Sequence, residues 1–178
     1  YELAMGVTAG VAVAAMAEAR KMTGSQWGDI IQGELVPEPL INLRTTLRQD
    51  QTFVGGMAQV VSLSDLSRLL LARAGDLELT PFILYDRDWV LAHPSLIGKQ
   101  TAPGADPLPR LESLDDPVLR EIWLGEKTPV RSLKNEGRFD AHAHKIGDAW
   151  YVYVYRSFVR YGQRPWTIGI HFNTESQD

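Results

Sequence analysis

Apolar and polar positions alternate along this chain in short runs, and the runs come in pairs separated by a few polar residues. Leu40–Arg48 (LINLRTTLR) reads as a strand, Gln49-Asp50-Gln51 as its turn, and Thr52–Ser62 (TFVGGMAQVVS) as the returning strand. Gly55 and Gly56 inside the second strand predict a bulge or the close approach of another backbone. The period then changes. Leu63, Leu66, Leu69 and Leu70 fall at helical spacing up to Gly75, and Ser62 with Asp65 three residues later resembles a capping-box start. Before these elements, Thr23–Pro39 is punctuated by Gly24, Gly28, Gly33, Pro37 and Pro39 and reads as loop.

Strand spacing returns in Thr80–Leu96 (TPFILYDRDWVLAHPSL), where two apolar runs flank the charged tip Asp86-Arg87-Asp88. Pairing Tyr85 with Val90 places Phe82, Leu84, Trp89, Leu91 and His93 on one face. Ile83, Tyr85, Val90 and Ala92 take the other. Both faces are mostly apolar, which predicts a central hairpin covered on both sides. Pro94 cannot donate to a further ladder bond, so the chain leaves the sheet there. The excursion that follows carries Pro103, Pro107, Pro109, Pro117 and Pro129, with one helix from about Asp115 to Leu124 and Pro117 in its first turn. A connection this long inside a compact domain is usually functional, and residues 97–138 are expected to form a lid. Strands resume with Phe139–Lys145, a turn at Ile146-Gly147-Asp148, Ala149–Phe158 and Pro165–Phe172.

The N-terminal apolar run, Leu3–Ala17, is too short and too rich in glycine and alanine to span a bilayer comfortably, where about 20 residues are needed. It reads as part of an N-terminal helix over residues 1–22. The expected fold is therefore α+β: one domain over residues 1–178, with an antiparallel sheet of five to six strands, an N-terminal helix and a long lid loop.

Composition narrows the chemistry. A hydrophobic fraction of 44% and a charged fraction of 22% are ordinary for a globular chain. The net charge is −4 and the basic residues are scattered, which argues against a nucleic-acid partner. Without cysteine there is no disulfide, thiol nucleophile or cysteine-ligated metal. No Gly-x-Ser-x-Gly elbow and no Gly-rich phosphate loop occurs, so catalysis and a bound cofactor have little support.

Three patterns carry candidate chemistry. On a strand, Asp140, His142 and His144 share one face, and two imidazoles with a carboxylate could bind zinc. The same pattern also fits a solvated outer face, with Ala141 and Ala143 turned inward. Tyr151, Tyr153 and Tyr155 share one face of the next strand, and tyrosines suit a small-molecule pocket because each offers packing area and a polar tip. A tyrosine ladder beneath a helix fits equally well. Arg156 falls on the apolar face and would need an ion-pair partner or an anionic ligand there. His93 reads either as a loop anchor or as a ligand contact.

The order of these motifs resembles the Cache family of PAS-like extracytoplasmic sensors. The matching residues are Ser62-Leu63-Ser64-Asp65-Leu66 after a strand, the hairpin end Ala92-His93-Pro94, and Trp166 opening the last strand. Trp27 stands where such domains often carry a tryptophan. The segment Pro107–Trp123 (PLPRLESLDDPVLREIW) is most similar to the lid of sensor domains on bacterial membrane-bound adenylate/guanylate cyclases. The resemblance implies a periplasmic domain of an inner-membrane receptor that is not itself an enzyme. It would meet the membrane only through flanking helices and bind a small molecule between sheet and lid, and a homodimer is compatible with it. A cyclase, a histidine kinase or a chemoreceptor would be the output. The chain stops six residues after Phe172, as an excised domain would. The ligand-binding residues expected on this reading are Trp27, Tyr85, His93, Tyr151, Tyr153, Tyr155 and Arg156. A zinc-dependent hydrolase built on Asp140, His142 and His144 is the alternative. The amino-acid-binding signature of some double-module relatives has no match here.

Overall fold

The computed structural model describes residues 16–28, 30–33, 36–99, 106–130, 139–159 and 164–174. They fall into two compact units. One ends at Ser62, and the other comprises Leu63–Lys99 and the chain from Leu108 onward.

In the first unit residues 16–21 are helical (α1). The rest of the expected N-terminal helix lies outside the described residues. The long strand β3 (Val36–Gln49) forms a hairpin with β4 (Thr52–Ser62) through the two residues Asp50 and Gln51. Both turn residues have positive φ, 47° and 70°, the geometry that lets a two-residue turn follow the strand twist. The segment expected to be loop instead supplies two three-residue strands, β1 (Ser25–Trp27) and β2 (Ile31–Gly33), which pair with the other edge of β3. Glycine spacing concealed them because each is too short to show alternation. Gly55 and Gly56 do what their position implied. The register slips beside Gly55, and a Cβ on Gly56 would lie 3.0 Å from the Cβ of Ala19 in α1.

The second unit begins with α2 (Leu63–Ala74) and holds a six-stranded antiparallel sheet in the order β6-β5-β10-β9-β8-β7. Its strands are β5 (Thr80–Tyr85), β6 (Trp89–Ala92), β7 (Thr128–Pro129), β8 (Asp140–Ile146), β9 (Ala149–Phe158) and β10 (Trp166–Asn173). A first hairpin (β5–β6) and a later meander (β8–β9–β10) are thus joined where the last strand returns beside the first.

The β5–β6 register differs from expectation. Tyr85 faces Trp89 and Leu84 faces Val90, then a bulge brings Ile83 opposite Ala92 and leaves Leu91 as the extra residue. Val90 therefore joins Phe82 and Leu84 on one face, where they meet Leu96, Leu111, Leu114, Leu119, Ile122 and Tyr153 in a single buried cluster. The described part of the excursion after Pro94 thus packs Leu96, Leu111, Leu114 and Leu119 onto the sheet. Its helix is shorter than the sequence pattern implied. α3 spans only Pro117–Arg120, continues in tight i→i+3 turns to Leu124, and ends before Gly125 at φ 65°.

Candidate functional site

The site is built around Asp116, the residue before α3. Asp116-Pro117 is a helix start in which the carboxylate caps and proline occupies the first turn, where its missing N–H costs nothing. Asp116 Oδ1 accepts from the Leu119 amide at 2.9 Å. Asp116 Oδ2 takes two more hydrogen bonds, from His93 Nε2 and His171 Nε2, each at 2.9 Å. One carboxylate therefore joins the lid, the end of β6 and the last strand. All three side chains are buried.

His93 is fixed from three directions. Its backbone N–H donates to Ser67 Oγ of α2 at 3.1 Å, and Ser67 Oγ in turn donates to the Leu63 carbonyl at 2.6 Å. Its Nδ1 accepts from the Ser95 amide at 3.1 Å. Because a backbone N–H can only donate, Nδ1 must carry the lone pair, so the proton sits on Nε2 and points at Asp116. Burial alone would raise the Asp116 carboxyl. The hydrogen bonds and charge from His171 and His93 and the Leu119 amide outweigh it and hold the group well below the usual carboxylate range.

The ligand atoms of His93, Asp116 and His171 lie within 4.8 Å of one another, close enough to hold a metal ion. A cation at Nε2 would need the ring proton moved to Nδ1 on both histidines, and on His93 that shift would cost the Ser95 amide bond. The tautomer present suits a hydrogen-bonded clamp.

The strand pattern Asp140, His142, His144 does not converge in this way. These residues form no converging ligand group among the described residues, nor do they face open solvent as a set. His142, paired across from Tyr153, is buried and stacks on that ring at 4.9 Å between centroids, with Tyr155 edge-on at 5.6 Å. His144 sits against the Glu126 carbonyl at 3.2 Å, and Asp140 is exposed. The expectation of a solvated outer face fails because β7 and the lid cover this edge. Burial, with Lys127 and His144 nearby, pushes His142 down to about 4, against the Ile122 carbonyl and Asp140. Its Nε2 is buried without a protein partner among the described residues.

Tyr151, Tyr153 and Tyr155 do share the lid face. Tyr153 is fully buried and donates its hydroxyl to the Val118 carbonyl at 2.7 Å, while Tyr151 and Tyr155 pack at the edge of the cluster. Tyr85 alternates with Leu84 and so points to the opposite face. Arg156 is exposed, with its guanidinium 5.1 Å from the Phe158 ring centre, so it needs no buried counter-ion. Trp27 belongs to the first unit, half-buried on β1 opposite Leu43. Of the expected residues, His93 and the three tyrosines therefore come together on one face, and Tyr85, Arg156 and Trp27 do not join them. Asp116 and His171 were missed. Asp-Pro before an apolar run and a histidine between Ile170 and Phe172 in a strand are the signals that could have found them.

No protein-family model and no curated protein sequence matches the chain. Solved structures do. The ligand-binding domain of the Pseudomonas fluorescens chemoreceptor CtaA, in complex with L-leucine, is similar over 91% of this chain and 59% of its own, at 16% identity and a TM-score of 0.51. The Campylobacter jejuni chemoreceptor Tlp3 domain, in complex with 4-methylisoleucine, gives 91% and 52%, 14% identity and 0.49. The Pseudomonas aeruginosa PAO1 amino acid chemoreceptor PctC domain, in complex with GABA, gives 89% and 60%, 13% and 0.46. The chain spans less than two thirds of each of these domains. At such identity the CtaA likeness speaks to fold: a largely antiparallel, PAS-like arrangement of the Cache type. These structural neighbours are ligand-binding domains of chemoreceptors; none of the three is a cyclase sensor.

Proposed function

We propose that residues 1–178 form one extracytoplasmic ligand-sensing domain, non-catalytic in itself, of an inner-membrane signalling receptor. The observation that carries this reading is the covered sheet. The segment Leu108–Leu124 lies on one face of a PAS-like sheet, held there by a buried apolar cluster and by the buried carboxylate of Asp116. The reading requires that this segment exchange between a closed and a more open arrangement. A small molecule that binds one of them better shifts the balance between them. The ligand would engage the lid edge, where Trp123 meets Tyr155 edge-on at 5.4 Å and Tyr151 lies alongside.

An adenylate/guanylate cyclase is proposed as the output on the strength of the Pro107–Trp123 motif. A chemoreceptor output is supported equally by the likeness to the CtaA domain. Periplasmic placement and homodimerisation belong to the same proposal. A thermal-shift screen against carboxylates, amino acids, amines, nucleobases and divalent metals tests the sensing role. A ligand at about 100 times its dissociation constant adds about 2.7 kcal/mol, a shift of a few degrees. Stabilisation by one chemical class supports the reading; no response to any class opposes it.

A further inference from the structure

The hairpin tip and the lid enclose a cleft of about 340 Å³, lined by Arg87, Asp88, Arg110, Arg120 and Trp123 among others. It is separate from the Asp116 clamp. We infer that this cleft binds a small oxyanion carrying two negative charges and is the ligand-recognition site of the sensor. This inference rests on the sensing role proposed above and deepens it.

Two of the guanidiniums lie over aromatic rings. Arg110 lies 3.9 Å from the ring centre of Trp89, and a bridge between the backbones of these two residues fixes the pair. Arg87 lies 5.2 Å from the ring centre of Trp123, whose indole N–H donates to the Arg87 carbonyl at 3.1 Å. A guanidinium stacked on an indole keeps its in-plane N–H groups free, and those edges fit the two oxygens of a carboxylate or phosphate. The stacking also removes side-chain entropy before the ligand arrives, so less is lost on binding.

The local charge is positive on balance, three arginines against the two carboxylates of Asp88 and Glu112. Asp86, at the hairpin tip, is taken by an ion pair with Arg164. Among the described residues, none of Arg87, Arg110 and Arg120 forms a salt bridge within 4.0 Å, although Asp88 and Glu112 also line the cleft. Lys127 adds a fourth cation, 4.9 Å from the Trp123 ring centre. Burial and the neighbouring Arg87 both push its ammonium below the usual lysine range, as expected where positive charge is in excess. The volume admits a molecule of metabolite size. Arg87 and Asp88 come from the hairpin, whereas Arg110, Arg120 and Trp123 come from the lid, so an anion spanning both would hold the lid closed.

The test is calorimetric titration with inorganic phosphate and with succinate, each at low and physiological salt, on the wild-type chain and on Arg87→Gln and Arg120→Gln. Both arginines are exposed, so both variants should fold, with Arg120→Gln leaving the ligand-free unfolding midpoint unchanged and Arg87→Gln lowering it only by the loss of its contact with Trp123. Arg120→Lys retains the charge without the fork. Binding of either anion, weakened at least tenfold in both glutamine variants, partly restored in the lysine variant and reduced by salt, supports the site. Succinate alone would identify a carboxylate ligand, and phosphate alone a phosphoryl one. Absence of binding by both anions, or equal affinity in wild type and glutamine variants, overturns the inference. Stabilisation by another class in the thermal-shift panel would then leave the sensing role standing, whereas silence throughout the panel would remove both.

Discussion

Replacing Asp116 by asparagine perturbs the clamp without changing side-chain volume, so no cavity term enters. The carboxylate accepts three hydrogen bonds, one on Oδ1 and two on Oδ2. An amide has one oxygen. If that oxygen serves the Leu119 amide, the NH₂ group confronts two imidazole N–H donors; if it serves the imidazoles, the NH₂ confronts the Leu119 N–H. His171 can shift its proton to the other ring nitrogen, but His93 cannot without losing the Ser95 amide bond. At least one buried donor is therefore left unpaired, at about 1–3 kcal/mol for each such group. Asp116→Asn should cost about 1–3 kcal/mol in urea unfolding at pH 7. The sign with pH follows from the same geometry. A carboxyl held below its ordinary value of 3.8 contributes stability above that pH and loses it as the pH falls through the folded value. Wild type should therefore lose part of its margin over the variant below about pH 4. A change within about 0.5 kcal/mol, the range of ordinary surface substitutions, would refute the clamp.

Other outcomes follow from single contacts. Tyr153→Phe removes the hydroxyl that meets the Val118 carbonyl and should cost about 1 kcal/mol, read from chemical denaturation. Gly169→Ala would place a Cβ 2.7 Å from the Val154 carbonyl oxygen and 2.6 Å from Phe82, so its unfolding midpoint should fall by the equivalent of about 1–3 kcal/mol. Burial holds His142 below the ordinary imidazole value in the folded protein. A drop from 6.5 to about 4 corresponds to at most about 3 kcal/mol, present above pH 6.5 and lost as the pH falls from there to 4. An NMR titration placing its pKa near 6.5 would contradict this, as would an unchanged stability slope over that window in His142→Gln.

The strands of the second unit other than β7, and the β3–β4 hairpin, could be read from the sequence because their apolar and β-branched runs end at polar turns. The β5–β6 register could not, since the bulge at Leu91 sits in an unbroken apolar run with no glycine to mark it. The lid helix was overestimated because Asp115–Leu124 keeps helical spacing while its hydrogen bonds tighten to i→i+3 after α3. Asp116 escaped for a different reason. Its partners lie 23 and 55 residues away, a pairing that no local period encodes. The Asp140–His144 face was judged solvated because a two-residue strand, β7, is too short to announce the cover it provides.

The central claim is that a small molecule binds at the lid edge and favours one lid state. Amide chemical-shift mapping of the ¹⁵N-labelled domain, titrated with the compound that stabilises it most, tests this directly. Saturable shifts should concentrate in the hairpin tip, residues 86–89, and in residues 108–124. Saturable shifts confined to other surfaces, with both segments unchanged, would contradict it.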